Sequence, residues 1–192
     1  MRRVGLLGGT FDPPHVGHLV VAECARVELE LDEVRLLVAG DPWMKHTVST
    51  ARDRVDLVRA AVAGEPHLRV DDREVRREGP TYTADTLAEL GEEEPDTAWV
   101  FLLGDDAAAK LGAWERGREA LALARFVVVT RPGHELDAST TLAGRLERLV
   151  VPQLEVSSTD LRERYHHGRA TRFQVPPAVD DLVRERRLYR GR

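Results

Sequence analysis

Short apolar runs alternate with longer, polar-interrupted segments along the whole chain, and that rhythm sets the first expectations. Val4-Gly5-Leu6-Leu7 reads as a fully buried strand. From Leu19 apolar positions recur at helical spacing, with Leu19, Ala22, Ala25 and Leu29 on one face and Glu23, Arg26 and Glu30 off it. Asp32-Glu33 closes that helix, and Val34 to Ala39 reads as a second strand. Thr50, with Asp53 three residues on, has the form of a capping box opening a helix through Ala63. Leu68 to Asp71 is a short third strand, and Gly79 to Thr83 turns into a helix from about Ala84 to Leu90. Trp99 to Leu103 and Phe126 to Thr130 are further buried strands, with helical pieces between them around Trp114 and up to Ala124. Beyond these the pattern predicts a helix over Leu142–Leu149, a last strand over Leu154–Val156 and a closing helix from Pro177 to Tyr189.

Strand–helix alternation of this kind predicts an α/β fold, a Rossmann-like doubly wound parallel sheet with helices on both faces and a C-terminal helical segment. The 192 residues, free of repeats and long linkers, are expected to form a single domain, 1–192. In such sheets ligands bind at the carboxyl ends of the strands, and the polar motifs fall there or just beyond.

Composition narrows the class. Hydrophobic residues at 42% and charged residues at 32% suit a soluble globular chain. No apolar run approaches the roughly 20 residues of a membrane span, and no signal-peptide pattern opens the chain. Cys24 is the sole cysteine, so no intrachain disulfide forms and a cytoplasmic setting is expected. A net charge of −5 argues against a general nucleic-acid partner. Among 28 basic residues only Lys45 and Lys110 are lysine, which singles out Lys45 in its loop, Gly40 to His46.

The candidate chemistry concentrates in Gly8-Gly9-Thr10-Phe11-Asp12-Pro13-Pro14-His15-Val16-Gly17-His18. A glycine-rich turn between strand and helix aims backbone N–H groups and the positive helix end at one spot, an anion site. His15 and His18, three apart, face the same place, and Gly17 keeps bulk away from a bound group. The dehydrogenase pattern Gly-x-Gly-x-x-Gly is absent, since after Gly9 the next glycine is Gly17. No Glu follows His15 and no Cys cluster supplies further ligands, so no metal site is assigned. Ser157-Ser158-Thr159, with Arg162 one turn along, reads either as a helix cap or as a second anion cradle.

The first of these stretches resembles the signature of nucleotidyltransferases that move a nucleotide monophosphate from a nucleoside triphosphate onto a phosphate. The Ser157–Arg162 segment is similar to that superfamily's ATP-binding motif. Gly79-Pro80-Thr81-Tyr82-Thr83 with Asp85-Thr86-Leu87 narrows the resemblance to bacterial nicotinate-nucleotide adenylyltransferases. So do Gly104 with Asp106, Trp114, Ala124 through Gly133 with Arg131, Phe173-x-Val175-Pro176 and Leu188-Tyr189.

The resemblance implies transfer of AMP from ATP to nicotinate mononucleotide, with Mg2+ carried on the ATP phosphates. It implies His18 as donor to the α-phosphate and His15, Lys45 and Arg162 on the outer phosphates. Gly8, Gly9, Thr10 and Phe11, with Ser157 and Ser158, complete the ATP cradle, and Gly104 and Asp106 lie near its ribose. Thr83, Trp114 and Arg131 serve the acceptor. ATP and nicotinate mononucleotide are the expected partners, with no nucleic acid and no membrane; a homo-oligomer is left open. Two departures stand out: Trp43-Met44 precedes Lys45 where the family has Pro-His, and Asp105 replaces a small residue. A phosphopantetheine adenylyltransferase and a non-catalytic nucleotide-binding paralogue are the competing readings.

Overall fold

A computed structural model describes residues 1–42, 47–130, 146–152 and 154–190. Five strands fall where continuous apolar runs predict them: β1 (Arg2–Gly9), β2 (Glu33–Val38), β3 (Leu68–Asp71), β4 (Thr97–Gly104) and β5 (Arg125–Thr130). A sixth, β6 (Glu147–Val150), completes a sheet of order β3-β2-β1-β4-β5-β6 in which every neighbouring pair is parallel. The order reverses between β1 and β4, so a crevice opens at their carboxyl ends.

The strand period of two divides the core. Leu7, Leu36, Leu102 and Val127 face helices α1 (Val16–Glu28) and α2 (Ala51–Ala61), where Ala22, Ala25, Val55 and Val58 meet them. Their chain neighbours Leu6, Leu37, Leu103 and Val128 face the other way. They pack against α4 (Thr83–Glu93), α5 (Asp105–Ala109) and α6 (Gly117–Leu123) through Leu87, Leu90, Ala108 and Ala120. Helices therefore cover both faces, as predicted. Each fully buried leucine contributes about 1.5–3 kcal/mol, which makes the sheet a rigid platform for its loops. A third cluster joins Leu57 and Ala61 of α2 to the C-terminal helices α7 (Ser158–His166) and α8 (Pro177–Glu185) through Leu161, Tyr165, Val179 and Val183.

Local signals account for the helix starts. Thr50 caps α2 by accepting from the Asp53 N–H at 3.1 Å. His15 is the N-cap of α1, placing His18 in its first turn.

Three expectations fail. The helix predicted over Leu142–Leu149 is strand at residues 147–150, and its earlier part lies outside the described residues. The edge of β5 supplies hydrogen-bond partners and Arg125 pairs with Glu147, so tertiary pairing overrides local pattern. The strand predicted over Leu154–Val156 does not form: the sheet ends at β6, Leu154 is exposed, and the Val156 N–H bonds back to the Leu154 carbonyl. The closing helix stops at Glu185, because Arg187 and Tyr189 adopt positive φ and fold the tail back over the third cluster.

Just past β2, Gly40 lies against the backbone of the one-turn helix α3 (Arg73–Arg76), where an added Cβ would overlap the Glu74 carbonyl oxygen. Gly40→Ala is expected to cost about 1–3 kcal/mol by overpacking, lowering Tm by about 2–4 °C per kcal/mol. Thermal unfolding checks this; an unchanged Tm would mean that the β2–α3 contact is loose.

Candidate active site

At the end of β1 the chain turns through Phe11, held at φ +51° and buried against Gly9. A Cβ at Gly9 would stand 2.9 Å from the Phe11 ring, so only glycine allows this turn. The His15 N–H donates to His18 Nδ1 at 3.1 Å. That bond leaves the proton of a neutral His18 on Nε2, the ring edge turned away from the backbone. The two imidazoles lie 3.7 Å apart between centroids, and Phe11 meets His18 edge-on at 5.0 Å. Burial lowers the His15 pKa to about 4, so the ring is neutral at pH 7. Its Nδ1 is buried without a hydrogen-bond partner among the described residues, and a Cβ at Gly17 would crowd it at 3.0 Å.

Asp12, 1% exposed, binds this turn to three distant segments. Its carboxylate accepts from the Val48 N–H at 2.6 Å, from the Ser49 hydroxyl and from the Tyr189 hydroxyl at 2.7 Å. Burial, and then the Asp12 charge, push the Tyr189 phenol far above its ordinary pKa. Arg162 Nη1 donates to the Asp12 carbonyl at 2.8 Å, and the Ser158 hydroxyl donates to the Pro13 carbonyl at 2.8 Å. Those two bonds set the N-terminus of α7 beside that of α1. Ser157 accepts from the Asp160 N–H at 3.1 Å, so its side chain is the helix cap. Arg54 of α2, also buried, donates to the carbonyls of Thr10, Ala39 and Gly40 at 3.1, 2.7 and 2.9 Å. It thereby ties together the exits of β1 and β2.

From this turn a cleft of about 190 Å³ runs across the β1–β4 crevice. Gly8, Gly9 and Thr10 wall one side and Gly104 another, and Thr81 to Thr83 close the far end. Tyr82 is the N-cap of α4 and makes no side-chain cap bond, so this uncapped N-terminus opens on the cleft. Trp114 also lines it, edge-on to Phe101 at 6.1 Å, with Nε1 buried and unpartnered among the described residues. Asp105 is engaged by the Thr130 hydroxyl at 3.1 Å, while Asp106, beside it, is exposed. Among the described residues, the charged ones lining the cleft are Asp41, Glu74 and Glu115.

Gly8, Gly9, Thr10, Thr83, Gly104 and Trp114 thus line the cleft. His15 and His18, with Phe11 against His18, stand on the turn that follows Thr10, which Asp12 and Pro13 bond to Arg162 and Ser158. Lys45 and Arg131 lie outside the described residues. Sequence reasoning missed Asp12 as a junction, Arg54 and Glu74, and reached Tyr189 only through the resemblance. Asp12 stood inside the signature and was open to notice; Arg54 and Glu74 carry no local signal. Among the described residues no group of three or more His, Cys, Asp or Glu stands together to hold a metal, and no helix is long and apolar enough to cross a membrane.

Comparison with known proteins agrees with this geometry. The cytidylyltransferase-like family model matches residues 6–164. A protein of Leifsonia xyli named "Probable nicotinate-nucleotide adenylyltransferase" is 42% identical over 98% of this chain and 94% of its own length. One of the same name from Exiguobacterium sibiricum is 42% identical over 97% of this chain and 98% of its own. The Plasmodium falciparum nicotinic acid mononucleotide adenylyltransferase complexed with NaAD shares the fold at TM-score 0.82, with 18% identity over 98% of both chains. With relatives above 40% identity along nearly its whole length, the chain belongs to the nicotinate-nucleotide adenylyltransferases of the cytidylyltransferase-like family.

Proposed function

We propose that the cleft transfers AMP from ATP to nicotinate mononucleotide, releasing pyrophosphate and forming nicotinate adenine dinucleotide. One observation carries this reading. A single cleft runs from Gly8, Gly9 and Thr10, the residues leading to the His15–His18 turn and the α1 N-terminus, to the uncapped α4 N-terminus beside Trp114. Phosphates toward the first and the acceptor's ring carboxylate at the second suit that layout, one helix end for each kind of anion.

The nucleophile is a phosphate oxygen already ionised at neutral pH, so the protein has no proton to remove. Its work is to hold both substrates in line and to meet charge growing on the α-phosphate and the leaving group. His18, its Nδ1 occupied by the His15 N–H, presents Nε2–H as the donor to the α-phosphate. His15, Arg162 and Lys45 take the outer phosphates, with backbone N–H groups of Gly8, Gly9, Thr10 and Phe11 and of the Ser157–Ser158 helix start. Because the Ser157 and Ser158 hydroxyls bond within the protein, their share in the cradle is through the α7 N-terminus. Asp106, exposed beside Gly104, suits the ATP ribose better than Asp105, which Thr130 engages. Thr83 offers its N–H to the ring carboxylate, Trp114 stacks on the ring and Arg131 adds a cation.

Mg2+ fits as a passenger of the triphosphate: the described residues form no carboxylate cage for it, and phosphate oxygens and water supply its ligands. Bound there, it neutralises charge on the phosphates. Cys24 as the sole cysteine suits a reducing cytoplasm.

Acceptor choice is the sharpest test. The acid and the amide mononucleotides differ only in carboxylate against carboxamide. An amide at the α4 N-terminus sets N–H donors against donors and leaves them unpaired. The acid is therefore expected to win in kcat/KM by about 10² or more, measured side by side. Near-equality, which the cleft's own carboxylates would favour, contradicts the role given to Thr83.

His18→Ala is expected to lower kcat by about 10²–10³ with folding and ATP affinity little changed. A folded variant retaining more than about a third of wild-type turnover removes His18 from this role. Direct attack also requires a ternary complex, so initial-rate plots at several fixed acceptor concentrations should intersect. Parallel lines, or α-phosphate label trapped on His15 or His18, would reveal a covalent adenylyl-enzyme instead.

A further inference from the structure

Beneath the α4 end of the cleft lies a carboxyl group that the proposed chemistry leaves unused. Glu74, on α3, is 6% exposed yet lines the cleft. Its Oε1 accepts the Thr86 hydroxyl at 2.9 Å, and Thr81 lines the cleft with it. Arg77 Nη1 donates to Thr86 Oγ1 at 3.2 Å, which turns the single Thr86 proton toward Glu74. Arg77 is itself held by an ion pair with Glu89. The backbone beneath is clamped too. Arg73 bonds Asp71 at 3.0 Å, Glu89 at 3.2 Å and Glu93 at 3.0 Å, and Gly40 abuts the Glu74 carbonyl.

We infer that Glu74 is a positioning residue for the acceptor: holding Thr86 at the first turn of α4, it fixes where Thr81 to Thr83 present their backbone N–H groups. The inference rests on the acceptor site proposed above and deepens it. It also settles an electrostatic conflict, since an unpaired carboxylate beside the bound acid would repel it. Here the Glu74 carboxyl accepts the Thr86 hydroxyl, and Arg77 donates to that same threonine. Burial pushes its pKa above the usual range, while Thr86, Arg77 and Thr81 draw it back. The carboxyl thus serves the helix start from the side, and the acceptor meets N–H groups.

Steady-state kinetics on the full chain, varying each substrate in turn, test this. Glu74→Ala is expected to raise KM for nicotinate mononucleotide about tenfold, with kcat within about threefold and KM for ATP within about twofold of wild type. Glu74→Gln keeps an oxygen for the Thr86 hydroxyl and should stay within about threefold of wild type. Thr86→Val, nearly isosteric, removes the bond and should raise acceptor KM about threefold or more with ATP unaffected. Equal movement of both KM values, an unmoved acceptor KM, or Gln behaving like Ala overturns the inference. Should Glu74→Ala not fold, Thr86→Val decides in the same terms. A wild-type protein that does not use nicotinate mononucleotide sinks the functional reading and this inference with it. Normal wild-type turnover with unresponsive variants sinks the Glu74 role alone.

Discussion

The buried carboxylate of Asp12 is the constraint on which the site depends. It is almost fully out of water and accepts bonds there from Val48, Ser49 and Tyr189. Leaving any of those donors out would leave a buried carboxyl oxygen short of a partner, which is costly. The bonds therefore force four stretches to arrive together: the turn after β1, the chain entering α2, the start of α7 through Arg162 and Ser158, and the C-terminal tail. Tyr189 is 177 positions from Asp12 in sequence and touches it in space. The C-terminal helices are thus tied to the turn after β1 and docked on α2 by their own apolar cluster.

Electrostatics in this fold come from dipoles and oriented donors more than from massed cations. His15 is neutral in the free protein, because burial opposes its charge. The described lining of the cleft includes three carboxylates, and the N-terminus of α4 opens on it. Fixed dipoles need no reorganisation as charge develops, which suits a transfer in which positioning is the main catalytic task. Arg54 and Glu74 serve the same end by different routes. One gathers the carbonyls at the exits of β1 and β2; the other holds the start of α4.

How much of this was legible in the sequence depends on how local the cause is. Strand β3, Leu68-Arg69-Val70-Asp71, is short and has Arg69 exposed; the longer β1, β2, β4 and β5 are built on apolar runs buried on both faces, and each announces itself. Strand β6 does not: Glu147-Arg148-Leu149-Val150 is a largely exposed edge with no strand-like pattern, made a strand by β5 beside it. The histidines, the glycine turn and the cap at Ser157 are short-range features and were found. Thr83 and Trp114 were reached through resemblance. Tyr189 was named the same way, without its contact to Asp12; Arg54 and Glu74 were not found, because a buried charge looks in sequence like a surface one. In a chain with 28 basic residues, nothing marks the arginine that turns inward. The doublet Asp105-Asp106 was read as ambiguous, and Thr130, a contact 25 residues away, separates the two.

The central claim is that one cleft brings the phosphates of ATP and of nicotinate mononucleotide together for direct transfer. The most direct measurement follows α-phosphate-labelled ATP with magnesium and one acceptor at a time: nicotinate mononucleotide, phosphopantetheine and other phosphomonoesters. The account predicts label in nicotinate adenine dinucleotide, matched mole for mole by pyrophosphate, and negligible transfer to the other acceptors. Label passing to another phosphate while nicotinate mononucleotide stays unreacted would contradict it.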